Sequence, residues 1–321
     1  MTECHLHNLP NELLLHLFAP LPTPELLPLT LISRRLSTII LRILHNRLVA
    51  AAELDSHSLL LECYHPSAKL FEPAYVCTYH GTNGLSPYDT SAEDDANIGA
   101  RLEKMRNMYS RFRPHQREFE DRGRKIVRRP GDVPGSRTFP GTAQDKYEGE
   151  TIKQTLSLES HELFTQLVSQ TNLVKMGPRH GLFTCFQDVE EGVVRVWKEW
   201  LGEMAAKGRA ANQKIPAIVE MRENDKGKER AKDILNDADL DDKRILWVSQ
   251  SKNTGLRFNV RERKLRRDTP ILVQVDEDLP VSYELEYDEL LVRTSHLLLM
   301  LEKSLVQEDN SGRAVVFGSF G

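Results

Sequence analysis

Long apolar runs are missing from this sequence. The longest candidate, residues 297–301, falls far short of the ~18 residues a membrane-spanning helix needs, so no membrane span is expected. Cysteine is scarce, and Cys4, Cys63, Cys77 and Cys185 lie scattered with no spacing that reads as a disulfide framework. The first residues lack the basic stretch, apolar core and small-residue cleavage site of a secretory leader. A reducing compartment, cytoplasmic or nuclear, is the expected location. Charge of one sign is not in excess either: 43 Lys and Arg stand against 47 Asp and Glu, for a net charge of -4. That balance gives no global attraction to nucleic acid, so any such binding needs a local patch. Catalytic signatures are also missing. There is no Gly-x-Ser-x-Gly elbow, no phosphate-cradling glycine loop and no His-Glu-x-x-His, so neither an enzyme nor a cofactor is expected. Ser160, His161 and His180 carry no such motif, and Ser160 is expected to cap a helix that begins at His161.

What the sequence has in abundance is leucine near its start. Residues 9–48 contain no glycine, and their prolines stand where helices begin. Pro10 suits a first helical position because the N–H it lacks has no partner there anyway, and Leu13, Leu14, Leu17, Phe18 and Leu21 follow with helical spacing. Thr23, Pro24 and Glu25 repeat the start signal, with the Thr23 hydroxyl expected as N-cap. Pro28 then limits this second helix to about one turn. Leu29, Ile32, Leu36, Ile39, Ile43 and Leu44 recur at three- and four-residue steps and predict a third helix, whose other face carries Arg34, Arg35 and Arg42.

Three short helices cannot bury this much leucine among themselves. An exposed leucine surface of this density calls for a cover, either the rest of the chain or a partner protein.

The run Leu9-Pro10-Asn11-Glu12-Leu13-Leu14-Leu15-His16-Leu17-Phe18-Ala19-Pro20-Leu21-Pro22 resembles the start of the F-box motif. Leu26, Leu29 and Ile32-Ser33-Arg34-Arg35-Leu36 resemble its continuation. Ser33 stands where that family commonly has cysteine, and Leu36 near where it has an aromatic residue. The stretch through His57-Ser58-Leu59-Leu60-Leu61-Glu62-Cys63-Tyr64-His65-Pro66 is similar to F-box proteins of filamentous fungi. The resemblance implies a three-helix module that docks a Skp-type adaptor and so joins the chain to a cullin–RING ubiquitin ligase of the SCF type. By that resemblance Leu9, Pro10, Leu13, Leu14, Leu17, Phe18, Leu26 and Leu29 are the partner-binding residues. The protein target that the rest of the chain would present has no readable motif.

Beyond residue 54 the texture changes. Strand-like runs at residues 59–64 and 74–79 open a second domain, and further strand signals stand at 244–248, 256–260, 271–275 and 281–287. Order is expected to resume near Thr151 and to run through residues 163–176 and 182–186. Residues 193–204 fit either a helical face or a strand entering a helix, with Trp197 and Trp200 read as core. Two polar insertions, about 86–149 and 207–243, read as disordered linkers on composition. The first contains a basic segment, residues 101–137, with Tyr109, Phe112 and Phe119 interleaved. Nucleic-acid binding there is the principal rival to the adaptor reading, with a solvated linker favoured over it. Cys63, His65, Cys77 and His80 could approach a zinc ion on neighbouring strands, although buried core cysteines are the more ordinary reading. The expected architecture is therefore α+β. A three-helix domain over residues 1–54 precedes a larger, mostly antiparallel, sandwich-like domain over residues 55–321.

Overall fold

The structure is a computed structural model, which describes residues 9–68, 74–85, 98–115, 151–176, 182–213, 242–263, 280–310 and 316–317. It opens on helices α1 (Asn11–Phe18), α2 (Thr23–Leu29) and α3 (Arg34–Glu53). Pro10 is the N-cap of α1 rather than its first helical residue. Ser33 caps α3 through its hydroxyl, which accepts the Leu36 N–H at 3.2 Å.

The start of α2 differs from the sequence expectation in a telling way. Thr23 does not cap the helix, and no local side chain does. The carboxylate of Glu302, near the other end of the chain, takes its place: it accepts from the Thr23 N–H at 3.0 Å and from the Thr23 hydroxyl at 2.6 Å. A carboxylate at a helix start also faces the positive end of the helix dipole. Arg47 of α3 completes the joint, donating to Glu302 at 3.0 Å and to the carbonyls of Ala19 and Leu21 at 2.8 and 2.5 Å. The helix reaches two turns, since Pro28 stands inside it near the end.

The described residues beyond α3 build one antiparallel sheet. Its strands are β1 (Ser58–Tyr64), β2 (Tyr75–Thr82), β3 (Tyr109–His115), β4 (Lys153–Leu158), β5 (Phe164–Met176), β6 (Leu182–Trp197), β7 (Ile245–Trp247), β8 (Thr254–Arg263), β9 (Val281–Arg293) and β10 (Val316–Phe317). Their order is β10-β6-β5-β1-β2-β3-β9-β8-β7, with β4 paired to the stretch of β9 that β3 leaves free. Helix α4 (Ile98–Arg106) precedes β3, α5 (Lys198–Gln213) continues from β6, and α6 (Thr294–Asn310) continues from β9.

The sheet is not the expected sandwich of two facing sheets. It is continuous and curls until it is nearly closed, bringing β6 against the residues after β7. Gly192 on β6 marks the seam. A Cβ there would stand 2.7 Å from both Cγ1 and the carbonyl oxygen of Val248. Beside it, Ser251 donates to Glu190 Oε1 at 3.0 Å across the same gap. Gly192→Ala is therefore expected to destabilise the fold by about 1–3 kcal/mol, because backbone must shift to admit the methyl group. A thermal melt checks this, and an unchanged midpoint would show that the seam is looser than its geometry.

The main core lies on the concave side, where Phe112, Leu167, Leu173, Phe258, Leu285 and Tyr287 meet Leu201 and Met204 of α5 and Leu297 and Met300 of α6. A second core joins α1, α2 and α3 to Met105 of α4 and Leu298 of α6. Helix α6 thus belongs to both: one stripe faces the sheet and the adjoining stripe faces the opening helices.

Two expectations about the insertions need correction. Residues 98–115 fall inside the first predicted linker, yet they form α4 and β3, and β3 sits between β2 and β9 in mid-sheet. The reason is a two-residue alternation hidden by arginine. Phe112 is fully buried, while Arg111 and Arg113 point to the other face. In the second predicted linker, α5 runs on through residue 213. Residues 242 and 243, at the end of the second segment, are also described; the rest of both segments, and the strand predicted at 271–275, lie outside the described residues.

Candidate docking surface

The opening helices are apolar on two adjoining stripes, and only one is covered. Leu14, Phe18 and Leu26 are buried, packed with Leu36, Ile40 and Leu298. These three are among the residues expected to bind a partner, and they lie buried in the second core. The cause is the packing of α1 and α2 on α3, a core to which α6 adds Leu298 from the far end of the chain.

The other stripe faces outward. Leu13 and Leu17, one turn apart on α1, are each about half exposed, at 52% and 50%. Leu27 on α2 is exposed, and Leu31 and Ile32 follow in the turn before α3 at 89% and 61%. That turn is held by successive hydrogen bonds, from the Leu31 N–H to the Pro28 carbonyl and from the Ile32 N–H to the Leu29 carbonyl, at 3.2 and 3.3 Å. Pro10 is exposed, and Leu9 and Leu29 are partly buried at the border of the second core. Arg35 fixes α1 on α3 through Asn11 Oδ1 at 2.8 Å and through the Leu9 carbonyl. Leu27, Leu31 and Ile32 were not among the residues expected to dock. Their repeat is visible in the sequence, but nothing there says which stripe is left bare.

The zinc arrangement does not form. Leu59, not Cys63, is the β1 partner of Cys77, so the two cysteines lie about 13 Å apart along the strands. Burial pushes the Cys77 thiol pKa up. His65 bonds Ser67 Oγ at 2.6 Å, and His80 lies 3.5 Å from Glu289 on the opposite face. Among the described residues, no three His, Cys, Asp or Glu side chains group to hold a metal ion.

The basic segment is divided. Phe112 is core and Arg111 is engaged by Asn83 at 3.1 Å and Glu289 at 3.7 Å, so neither stands ready for a phosphate or a base. Residues 116–137, Phe119 included, lie outside the described residues. The Ser160-His161 pair sits in the turn between β4 and β5 rather than at a helix start, with the Glu162 N–H bonded to the Glu159 carbonyl at 3.2 Å.

A hydroxyl–imidazole relay does exist elsewhere: Ser56 Oγ, His57, Ser304 Oγ and Cys185 Sγ stand in series, each 3.0 Å from the next. His57, Ser304 and Cys185 are buried, so the relay braces α6 against β1 and β6 and presents no nucleophile to solvent. No described helix is long and apolar enough to cross a membrane. Compared with protein families, curated proteins and solved structures, the chain matches none.

Proposed function

We propose that this chain is the substrate-recognition adaptor of an SCF-type cullin–RING ubiquitin ligase, an F-box protein whose opening helices dock a Skp-type adaptor. The observation that carries the reading is the exposure of Leu13, Leu17, Leu27, Leu31 and Ile32, all within the residues that resemble the F-box motif. So many large aliphatic side chains left to water on one small module are a liability unless a partner covers them. Leu9, Pro10 and Leu29 border that stripe, while Leu14, Phe18 and Leu26 act from beneath by holding the helices in place. The curled sheet presents a target protein to a ubiquitin-conjugating enzyme brought by the cullin. Acceleration comes from proximity, so this chain needs no catalytic residue and no cofactor.

Co-expression with a Skp-type adaptor tests the proposal. A one-to-one complex is expected, and Leu13→Ala and Leu17→Ala are each expected to cost about 2–4 kcal/mol of binding as central anchors. Full recovery of the adaptor by a folded double variant would refute the assignment. Recovery of nucleic acid in place of the adaptor would favour the rival reading through residues 101–137.

A further inference from the structure

We infer that the outer face of the β5–β6 pair is a second docking surface, one that takes an extended segment of a partner protein bearing an apolar anchor flanked by lysine or arginine. Val194 and Val196 point into the core, so alternation sends Val193, Arg195 and Trp197 outward. Trp197 pairs with Phe164 across the strands, their ring centres 5.1 Å apart, and both rings are exposed, at 48% and 37%. Leu163 beside them is 69% exposed and Val193 53%. Arg195 lays its guanidinium over the Phe164 ring at 5.6 Å, which stiffens the platform from one side. Aromatic residues with an arginine at the centre of a surface are the composition from which binding hot spots are made.

The rim selects the partner's charge. Glu159 and Glu162 lie in the turn that leads into Leu163, Glu199 stands two residues after Trp197, and Glu191 lies further along β6. Against these carboxylates stand Arg195, whose charge rests on the Phe164 ring, and Lys198, which donates to the Ser160 carbonyl at 3.2 Å. His161 lies 3.6 Å from Glu159. The exposed apolar stripe therefore has an acidic surround that suits a cationic segment. From the Phe164 row to the Gln170 row is about 20 Å, the reach of some six extended residues. The inference does not rest on the adaptor reading; where that reading holds, this is the face on which a target is held.

Fluorescence anisotropy with the full chain tests it, using a labelled heptapeptide of sequence KRLVLKR and its acidic counterpart EDLVLED. The basic peptide is expected to bind at least tenfold more tightly than the acidic one, and that binding is expected to fall at least tenfold in the Phe164→Ser, Trp197→Ser double variant at an unchanged melting temperature. Glu159→Lys with Glu191→Lys is expected to reverse the order of the two peptides. Leu13→Ala with Leu17→Ala is expected to leave the peptide affinity intact, which separates this surface from the adaptor-docking stripe. No preference for the basic peptide, binding that survives loss of both rings, or binding lost instead with Leu13 and Leu17 would each overturn the inference.

Discussion

Phe18→Ala is expected to cost about 3–5 kcal/mol of folding stability, the usual toll of emptying a buried aromatic site. The ring is 6% exposed and packs in the second core, among residues drawn from α2, α3, α4 and α6. No one of these elements can close the gap, because each is pinned elsewhere. Arg47 and Glu302 hold α2 and α3 to α6, and Leu297 and Met300 hold α6 to the sheet. Collapse around the cavity is thus resisted from several sides. Leu17→Ala, next door on the half-exposed stripe, is expected to change stability by no more than about 0.5 kcal/mol. Urea unfolding of the two variants side by side is the measurement. Equal losses would mean that the inward and outward stripes are misassigned, and with them the proposed docking face.

That contrast shows how far the residues could be read without coordinates. The helices, the α3 cap at Ser33 and most strands follow from period and punctuation, which are local. Which of two adjoining leucine stripes on α1 turns inward is not local: Leu13 and Leu17 have the same spacing and chemistry as Leu14 and Phe18. The choice is made by α3, on which α1 packs, with Leu298 of α6 joining the same core from some 280 residues away in sequence. Helix α4 and strand β3 were hidden for a related reason. Arginine-rich composition reads as linker until Arg111 is seen to lean on Glu289 of β9 while Phe112 fills the core. Helical spacing predicts Trp197 in the core, but the structure leaves it about half exposed. The strand continues through that residue before α5 begins, and alternation turns the ring outward.

Helix α6 gives the architecture its mechanical character. It packs through adjoining residues on both cores, caps α2 through Glu302 and meets His57 and Cys185 through Ser304. The opening helices and the sheet are therefore joined by buried contacts rather than by a linker. For the proposed adaptor this matters, because a proximity mechanism works best when the distance from docking face to target face is fixed. A loose tether would spread the target over many positions, most of them unproductive.

Glu289→Ala is expected to be as damaging as the Phe18 change, again about 3–5 kcal/mol, but for an electrostatic reason. Glu289 accepts from Arg257 at 2.8 Å, with side chains only 11% and 7% exposed, and lies 3.7 Å from Arg111 and 3.5 Å from His80. Removing it leaves the Arg257 guanidinium in a poorly hydrated site. Asp242 is a second carboxylate beside it, 3.7 Å from Arg257 Nε. It compensates poorly. Although burial works to raise its pKa, bonds from Arg244 and the nearby charges of Arg244 and Arg257 hold the Asp242 carboxyl below the usual range, so its charge is already shared between the two arginines. Replacing both partners, as Glu289→Leu with Arg257→Leu, is expected to restore much of the loss, because no orphaned charge then remains. A double-mutant cycle read by urea unfolding separates the terms. A single-variant loss below about 1 kcal/mol, or a double variant as weak as the two losses added, would show that the pair contributes through packing alone and that Arg257 finds water where the sheet denies it.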